Sequence, residues 1–348
     1  MRAYSLKMGI MPTYTAHNIM AYIMKKLTQW FNQLWYQNPN PAWWMQCFSK
    51  VYQLGFHWDK KRKKTIPSPL PVIVVGNLTV GGTGKTPVVI ALCQFLQQKG
   101  HRVGIVTRGY QHQLSDFPYH VKENDSAQII GDEAALIKQK TKVPVVIAPQ
   151  RASAIRYLHE QQLCDIIISD DGLQHHPMGR QLEIVVIDGQ RGFGNGFLLP
   201  AGPLREPLDK LNAVDLILVN GKPSTALSQK LKPYAHKTFI FELKSQTIEV
   251  FNKTAPNPQE PYAAFAGIGN PERFFNSLRE LNIQFTAYSF PDHHRYVKKD
   301  FDIPESCIIM TEKDAIKCHA FSQKPILVLP VFAEFPSHFW DVFSNSLG

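Results

Sequence analysis

The stretch from Pro71 to Pro87, PVIVVGNLTVGGTGKTP, constrains the fold more than any other part of the chain. Its apolar run, Val72-Ile73-Val74-Val75, has the length and β-branching of a strand buried in a parallel sheet. Gly76-Asn77 ends the run, a glycine-rich turn follows, and Gly84-Lys85-Thr86 heads a predicted helix from Val88 to Gln98. Strand, glycine loop and helix N-terminus in that order make an anion site. Backbone N–H groups and the positive helix end face a phosphate, lysine adds a point charge, and a threonine hydroxyl can ligate Mg2+. Against the pattern G-x-x-x-x-G-K-[ST], Thr79 stands where the first glycine belongs. The loop Thr79-Val80-Gly81-Gly82-Thr83-Gly84-Lys85-Thr86 keeps three glycines and the Lys-Thr pair, with Val80 where K-G-G-x-G-K-T loops carry a second lysine. A chance glycine turn would leave the flanking strand and helix unexplained, so the stretch predicts a nucleoside triphosphate site.

Beyond Pro71 strands and helices alternate. Strands are predicted at Val72–Val75, Val103–Thr107, Val143–Ala148, Asp165–Ser169, Glu183–Ile187 and Asp215–Val219, with helices at Asp132–Gln139 and Arg151–Gln161. Apolar strands in this alternation imply a mostly parallel sheet with helices on both faces, an α/β architecture of the P-loop NTPase type. A smaller set follows at Tyr262–Ala266, Pro271–Leu281 (helical), Gln284–Phe290, Cys307–Thr311 and Ile326–Leu329. The polar, proline-rich joint Asn252–Pro261, NKTAPNPQEP, separates the two sets. The expected division is an N-terminal segment over 1–70, a P-loop α/β domain over 71–250 and a smaller α/β lobe over 251–348, with a cleft between the lobes.

The formal net charge of +10 resolves into a local feature. Residues 1–70 hold ten Lys/Arg and one acid, Asp59, which leaves 28 basic against 27 acidic residues for the body. Five of the six tryptophans lie in the same segment. From Met20, Ile23, Leu27, Trp30, Phe31, Leu34 and Trp35 recur at helical spacing until Pro39 and Pro41 intervene. A second run places Trp44, Cys47, Phe48, Val51, Tyr52 and Leu54 opposite Gln46, Ser49, Lys50 and Gln53. Neither run has the ~18 uninterrupted apolar residues that spanning a bilayer needs. With the basic cluster Lys60–Lys64 behind them, they suit two helices lying in the interface of an anionic membrane. The competing readings are packing against the body, a solvated linker, or nucleic acid, for which no recognised module surrounds the basic run. No nucleic acid and no obligate protein partner are expected. Met1–Asn18 lacks periodicity and a signal-peptide core, and translation could begin at Met20 or Met24. Five widely spaced cysteines without a C-x-x-C pair fit a reducing cytosol.

Several other groups can carry chemistry. Ile166-Ile167-Ile168-Ser169-Asp170-Asp171-Gly172 is an apolar strand ending in two acids, the position from which a phosphate-loop fold holds Mg2+. His175 and His176 follow. Asp132, in Gly131-Asp132-Glu133, reads on spacing alone as a helix cap, and Asp292-His293-His294 as a surface turn. Arg108, Arg151 and the Arg205-Glu206 pair are candidate phosphate clamps or structural ion pairs. No zinc spacing supports the histidines.

Eight segments taken together resemble the tetraacyldisaccharide 4′-kinases, the lipid A 4′-kinases of Gram-negative bacteria. They are VVGNLTVGGTGKTP (Val74–Pro87), TRGY (Thr107–Tyr110), GDEA (Gly131–Ala134), SDDGLQHH (Ser169–His176), LLPAGPLREP (Leu198–Pro207), AFAGIGNPERFF (Ala264–Phe275), FPDHH (Phe290–His294) and MTEKDAIKC (Met310–Cys318). Ala134 replaces the proline usual in that family. The resemblance implies ATP- and Mg2+-dependent phosphorylation of the 4′-hydroxyl of an acylated glucosamine disaccharide, at the cytoplasmic face of the inner membrane. It implies Lys85 on the β/γ-phosphates, Thr86 with Asp170 or Asp171 on Mg2+, Asp132 as base and His293 reaching it from the other lobe. His175, Arg108, Arg151, Arg205 and Glu206 fall on the substrate or phosphate side by the same carry-over. The rival readings are a soluble P-loop ATPase, whose signature lysine Val80 displaces, and a nucleotide-gated membrane protein that transfers nothing.

Overall fold

The computed structural model describes residues 26–27, 30–62, 65–109, 112–252, 261–318 and 324–347. The chain runs α1 (Trp43–Arg62), β1 (Val72–Gly76), α2 (Lys85–Gln98), β2 (Val103–Thr107), β3 (Tyr119–His120), α3 (Asp132–Thr141), β4 (Val145–Ile147), α4 (Arg151–Glu160) and β5 (Ile166–Asp170). It continues through β6 (Leu182–Asp188), β7 (Leu216–Asn220), β8 (Thr238–Ser245), β9 (Glu249–Val250), β10 (Tyr262–Ala266), α5 (Pro271–Glu280) and β11 (Phe285–Ser289). The last elements are β12 (Ile308–Thr311), α6 (Glu312–Cys318), β13 (Ile326–Leu329), β14 (Val331–Glu334) and α7 (Ser337–Asn345), with shorter helical turns between.

Nine strands form the larger sheet in the order β14-β8-β7-β6-β1-β5-β2-β4-β3. Every neighbouring pair is parallel except the two edges, where β14 runs antiparallel to β8 and β3 to β4. Side chains along a strand alternate between faces, and the cores follow that rule. Ile73 and Val75 of β1 join Val88, Leu92 and Leu96 of α2 on one face. Val72 and Val74 join Ala154, Ile155 and Leu158 of α4 on the other. Burial on both sides is why these strands read as unbroken apolar runs. The registers also place the chemistry: Val75 of β1 stands opposite Asp170 of β5, so the acids emerge beside the glycine loop.

The smaller sheet has the order β11-β10-β12-β13-β9, parallel apart from β9. The boundaries differ from the sequence expectation in two respects. Strand β9, placed before the joint by the sequence, pairs with β13 of the smaller sheet. Residues 331–347, expected in the smaller lobe, return to the larger one. Strand β14 extends the large sheet at β8, and α7 packs Phe339 and Phe343 into its core, with Trp340 stacked on Phe95 at 4.4 Å. Most of the joint, residues 253–260, lies outside the described residues, as do residues 20–25 and 28–29 of the first amphipathic run.

Helix α1 sits against the loop 198–205. Ser49 Oγ donates to the Leu198 carbonyl at 2.8 Å and Tyr52 Oη to the Arg205 carbonyl at 3.0 Å. Met45 and Ser49 are its buried residues, whereas Trp43, Phe48, Val51, Leu54 and Trp58 are 60–77% exposed. These five side chains point away from the body, while Tyr52 and Phe56, whose ring lies 5.4 Å from that of His176, meet it. Among the described residues no helix is long and apolar enough to cross a membrane.

Candidate active site

The glycine loop between β1 and α2 is held by asparagine amides. Asn77, fully buried, donates from Nδ2 to the carbonyls of Thr79 at 2.7 Å and Gly81 at 3.2 Å. Asn220, at the end of β7, donates to the Thr83 carbonyl at 3.0 Å. With those carbonyls turned inward, loop N–H groups are left to face a ligand. Gly84 takes φ +93°, and a Cβ there would lie 2.5 Å from Asn220 Nδ2, so the position requires glycine. From outside, the loop 198–206 braces it: Val80 N–H donates to the Pro203 carbonyl at 2.9 Å and Arg205 N–H to the Leu78 carbonyl at 2.7 Å.

Lys85 leaves the first turn of α2 and places Nζ 3.4 Å from Asp171 Oδ1. Arg205 Nη1 bonds both Asp171 oxygens at 3.1–3.2 Å. Asp170 and Asp171 are adjacent but electrostatically opposite. Burial, then the Glu133 and Asp171 charges, pushes the Asp170 carboxyl up to about 7 despite Lys85 and Arg151. Burial also raises Asp171, but the charges of Lys85 and Arg205 prevail and hold it at about 2. Asp170 accepts one bond, from Thr107 Oγ1 at 3.4 Å, while its Oδ1 and the buried Thr83 Oγ1 lack a protein partner. Orphaned buried oxygens at this place fit a hydrated divalent cation and a nucleotide phosphate, because both supply what those atoms lack.

Across the cleft, the loop after β11 brings His293 to the first turn of α3. Its Nδ1 lies 2.9 and 3.2 Å from the two oxygens of Asp132. A carboxylate only accepts, so Nδ1 carries the proton and donates. Gly131, at φ +88°, is the residue before the helix, so Asp132 sits one position inside it rather than capping it. His293 itself takes φ +58°, an uncommon conformation for a side chain of its size and one that accompanies functional loops. Lys313 and Lys317, one turn apart on α6, complete the cluster. Lys313 Nζ is 3.3 Å from Glu133 Oε1, 3.4 Å from His293 Nε2 and 3.9 Å from Asp132 Oδ2. Lys317 Nζ is 3.9 Å from Asp132 Oδ2 and 2.8 Å from Asp314 Oδ1. Burial raises the Asp132 carboxyl, but the His293 hydrogen bond and the Lys313 and Lys317 charges bring it down to about 2.

The remaining predicted residues are distributed around these two centres. Arg151, only 3% exposed, donates from Nη2 to the carbonyls of Asp170 at 3.3 Å and Asp171 at 3.4 Å, fixing the strand end. Glu206, 1% exposed, accepts from Gln174 Nε2 at 2.7 Å. His175 lies in the turn after β5, where its carbonyl accepts from Arg180 at 2.6 Å. Arg108 is exposed at the end of β2. Thr86 is half-buried in the first turn of α2. Sequence reasoning missed Asn77, Asn220, Lys313 and Lys317. The lysines carried a signal, since the i, i+4 spacing in TEKDAIKC puts both on one helix face. A second crossing joins the lobes at the glycine loop. Arg191 donates to the Gly269 carbonyl at 3.0 Å, and a Cβ on Gly269 would lie 3.3 Å from Gly82 N.

Residues 41–348 match the family described as Tetraacyldisaccharide-1-P 4′-kinase. The tetraacyldisaccharide 4′-kinase of Legionella pneumophila (strain Lens) is 47% identical over 316 residues, covering 90% of this chain and 95% of that protein. Its namesake in Nitrosococcus oceani is 39% identical over 314 residues, covering 88% and 90%. The crystal structure of LpxK from Aquifex aeolicus in complex with ATP is similar at a TM-score of 0.67 and 28% identity, covering 86% of this chain and 98% of that one. The eight ordered motifs, the large-sheet fold and this coverage converge: the chain belongs to the tetraacyldisaccharide-1-P 4′-kinase family.

Proposed function

We propose that the chain transfers the γ-phosphoryl group of ATP to the 4′-hydroxyl of a tetraacylated glucosamine disaccharide 1-phosphate, a step of lipid A biosynthesis. Family membership supports the reaction. The observation that carries its assignment to residues is the Asp132–His293 pair, formed between the lobes at 2.9 Å.

In-line phosphoryl transfer depends mainly on positioning and on spreading charge. The loop 79–86 cradles the phosphates, and Lys85 sits on their β/γ oxygens. Thr86 with Asp170 and Asp171 would hold Mg2+, which when bound neutralises charge on the phosphate oxygens. Asp171, held here by Lys85 and Arg205, would give up part of those contacts to serve as such a ligand. Asp132 takes the proton of the 4′-hydroxyl, and His293 orients its carboxylate from the opposite lobe. Arg205, Arg108 and His175 hold the phosphate or the disaccharide, while the buried Arg151 and Glu206 support that side from beneath through the Asp170 and Asp171 carbonyls and Gln174.

The finer placement is the membrane surface. A lipid with four acyl chains stays in its bilayer, so the kinase meets it there. The outward aromatic and aliphatic face of α1, next to the basic run 60–64, suits insertion into an anionic cytoplasmic leaflet.

The test is label transfer from ATP to a tetraacylated disaccharide in detergent, with Lys85→Ala and Asp132→Asn alongside. Label on the lipid with the wild type, lost in both variants, is the expected result. ATP hydrolysis without labelled lipid would favour the P-loop ATPase reading instead.

A further inference from the structure

Lys313 has no part in the assignment so far, yet its ammonium meets three acidic or basic groups of the cleft. It reaches Glu133 at 3.3 Å, His293 Nε2 at 3.4 Å and Asp132 Oδ2 at 3.9 Å. An imidazole whose Nδ1–H is held by a carboxylate ordinarily offers Nε2 as a base. Here that nitrogen faces an ammonium. The lone pair accepts from Lys313 Nζ, and a proton added at Nε2 would meet a positive charge.

We infer that Lys313 decides which member of the Asp132–His293 pair takes the substrate proton: it occupies Nε2, keeps the imidazole neutral with its proton on Nδ1, and leaves the Asp132 carboxylate as the base. The inference rests on the kinase reading and deepens it. As the bond from the 4′-oxygen to the γ-phosphorus forms, the hydroxyl proton passes to Asp132. The bond from phosphorus to the bridging oxygen breaks, and its electron pair leaves with ADP. Lys313 is a positioning residue in this scheme, acting through the pair.

The surroundings of the pair bear on the charge balance. From α3, Glu133 faces Lys313, and at the far end of that helix Lys140 pairs with Glu312. From α6, Lys317 faces Asp132 while bound to Asp314. From the His293 loop, Asp292 Oδ1 lies 3.9 Å from His293 Nε2. Lys317 approaches Asp132 at 3.9 Å, whereas Lys313 reaches both the carboxylate and Nε2 of the imidazole, so Lys313 is placed to choose between the two bases. Its own ammonium is secured: burial opposes the charge, but Glu133, Asp132 and Asp292 raise its basicity well above the ordinary lysine value.

The experiment compares pH profiles of kcat/KM for the full chain and its Lys313→Met, Lys313→Gln and Lys313→Arg variants. Without the ammonium, the first proton taken up by the pair goes to His293 as an imidazolium beside a carboxylate. The acid limb of Lys313→Met is therefore expected to rise by at least about one pH unit, towards the imidazole range. Lys313→Gln keeps a donor without the charge and should show the same direction of shift. Lys313→Arg should retain the wild-type limb. A lower rate with an unmoved limb in both Met and Gln variants would overturn the inference. Histidine-selective 15N NMR, with the His293 signal identified by its loss in His293→Gln, gives a readout independent of turnover. The wild type should show the Nδ1–H tautomer with Nε2 accepting a hydrogen bond, and Lys313→Met the loss of that Nε2 signature. An imidazolium already present in the wild type would also overturn it. Should the wild type transfer no label at all, the kinase reading falls, while the NMR arm still decides the role of Lys313.

Discussion

Asp170 and Asp171 show how little residue type says about charge. They end one strand, yet the buried carboxyl of Asp170 sits at about 7 while Lys85 and Arg205 keep that of Asp171 near 2. An acid raised in the folded state loses stability as pH climbs from its unfolded value, 3.8, through about 7, because the fold resists its ionisation. Asp170→Asn removes that loss. The expected outcome is a higher melting temperature at pH 8 together with abolished Mg2+-dependent transfer, read by calorimetry and by label transfer. A lowered melting temperature would show that the carboxylate is stabilising. Asp132 has the opposite sign. Its carboxyl, at about 2 against 3.8 unfolded, contributes stability that is present above the unfolded value and is lost as pH falls towards 2. Asp132→Asn should flatten the acid unfolding curve over that range and slow transfer by roughly 10²–10⁴-fold, the usual contribution of a general base.

At the scale of elements, Gly84 and α1 make separable predictions. An alanine at 84 must hold φ +93° and place Cβ 2.5 Å from Asn220 Nδ2, so the Asn220 bond to Thr83 is displaced. Left-handed backbone costs a non-glycine residue about 1–2 kcal/mol, and 1.4 kcal/mol is tenfold in affinity. Gly84→Ala should weaken ATP binding by about tenfold or more in a direct titration, with the core intact. For α1, Phe48→Glu with Leu54→Glu alters two outward side chains that touch no core. Each apolar side chain of that size contributes about 1.5–3 kcal/mol on burial. Partition onto anionic vesicles should fall at least ~10-fold with the melting temperature unchanged. Unchanged partition would remove the membrane proposal for this face. The same helix marks a limit of sequence reading. Helical spacing says that Trp44, Phe48 and Val51 share a side, but not whether that side meets the body or the surroundings. Strands β1, β2, β5, β6 and β7 were legible because both of their faces are buried. Strand β8 was not, since Phe239 and Phe241 point inward while Ile240 is exposed, and its second partner, β14, lies some ninety residues away.

The whole molecule assembles its site from both lobes, which is why the glycine loop and its acids were legible as a unit while the Asp132–His293 pair was not. Lys85, Thr86 and the acid-ending strand lie within one local motif logic, but Asp132 and His293 are 161 residues apart and meet only through the packing of α6 on α3. On spacing alone each reads as a cap or a turn, and only the family resemblance joined them. The meeting has its own fastenings: Lys140 pairs with Glu312, Arg191 with the Gly269 carbonyl, and Arg273 with Asp188 at 3.6 Å. Such partly exposed contacts are worth about 0.2–1 kcal/mol each, so removing one shifts the closed population modestly, whereas reversing a charge adds repulsion. Lys140→Glu sets two carboxylates against each other on the α3–α6 contact without touching the glycine loop. It should lower kcat several-fold while leaving ATP affinity near wild type, since the crossing at the glycine loop, Arg191 to Gly269, is left in place. Lys140→Glu combined with Glu312→Lys restores opposite charges and should recover most of the rate. Glu312 also accepts from Val331 N–H at 3.2 Å, so Glu312→Lys alone should be the most impaired of the three. If the double variant is as slow as the product of the two single losses, the pair does not hold the lobes together, and the energy of closure resides in the Arg191 and Arg273 contacts instead.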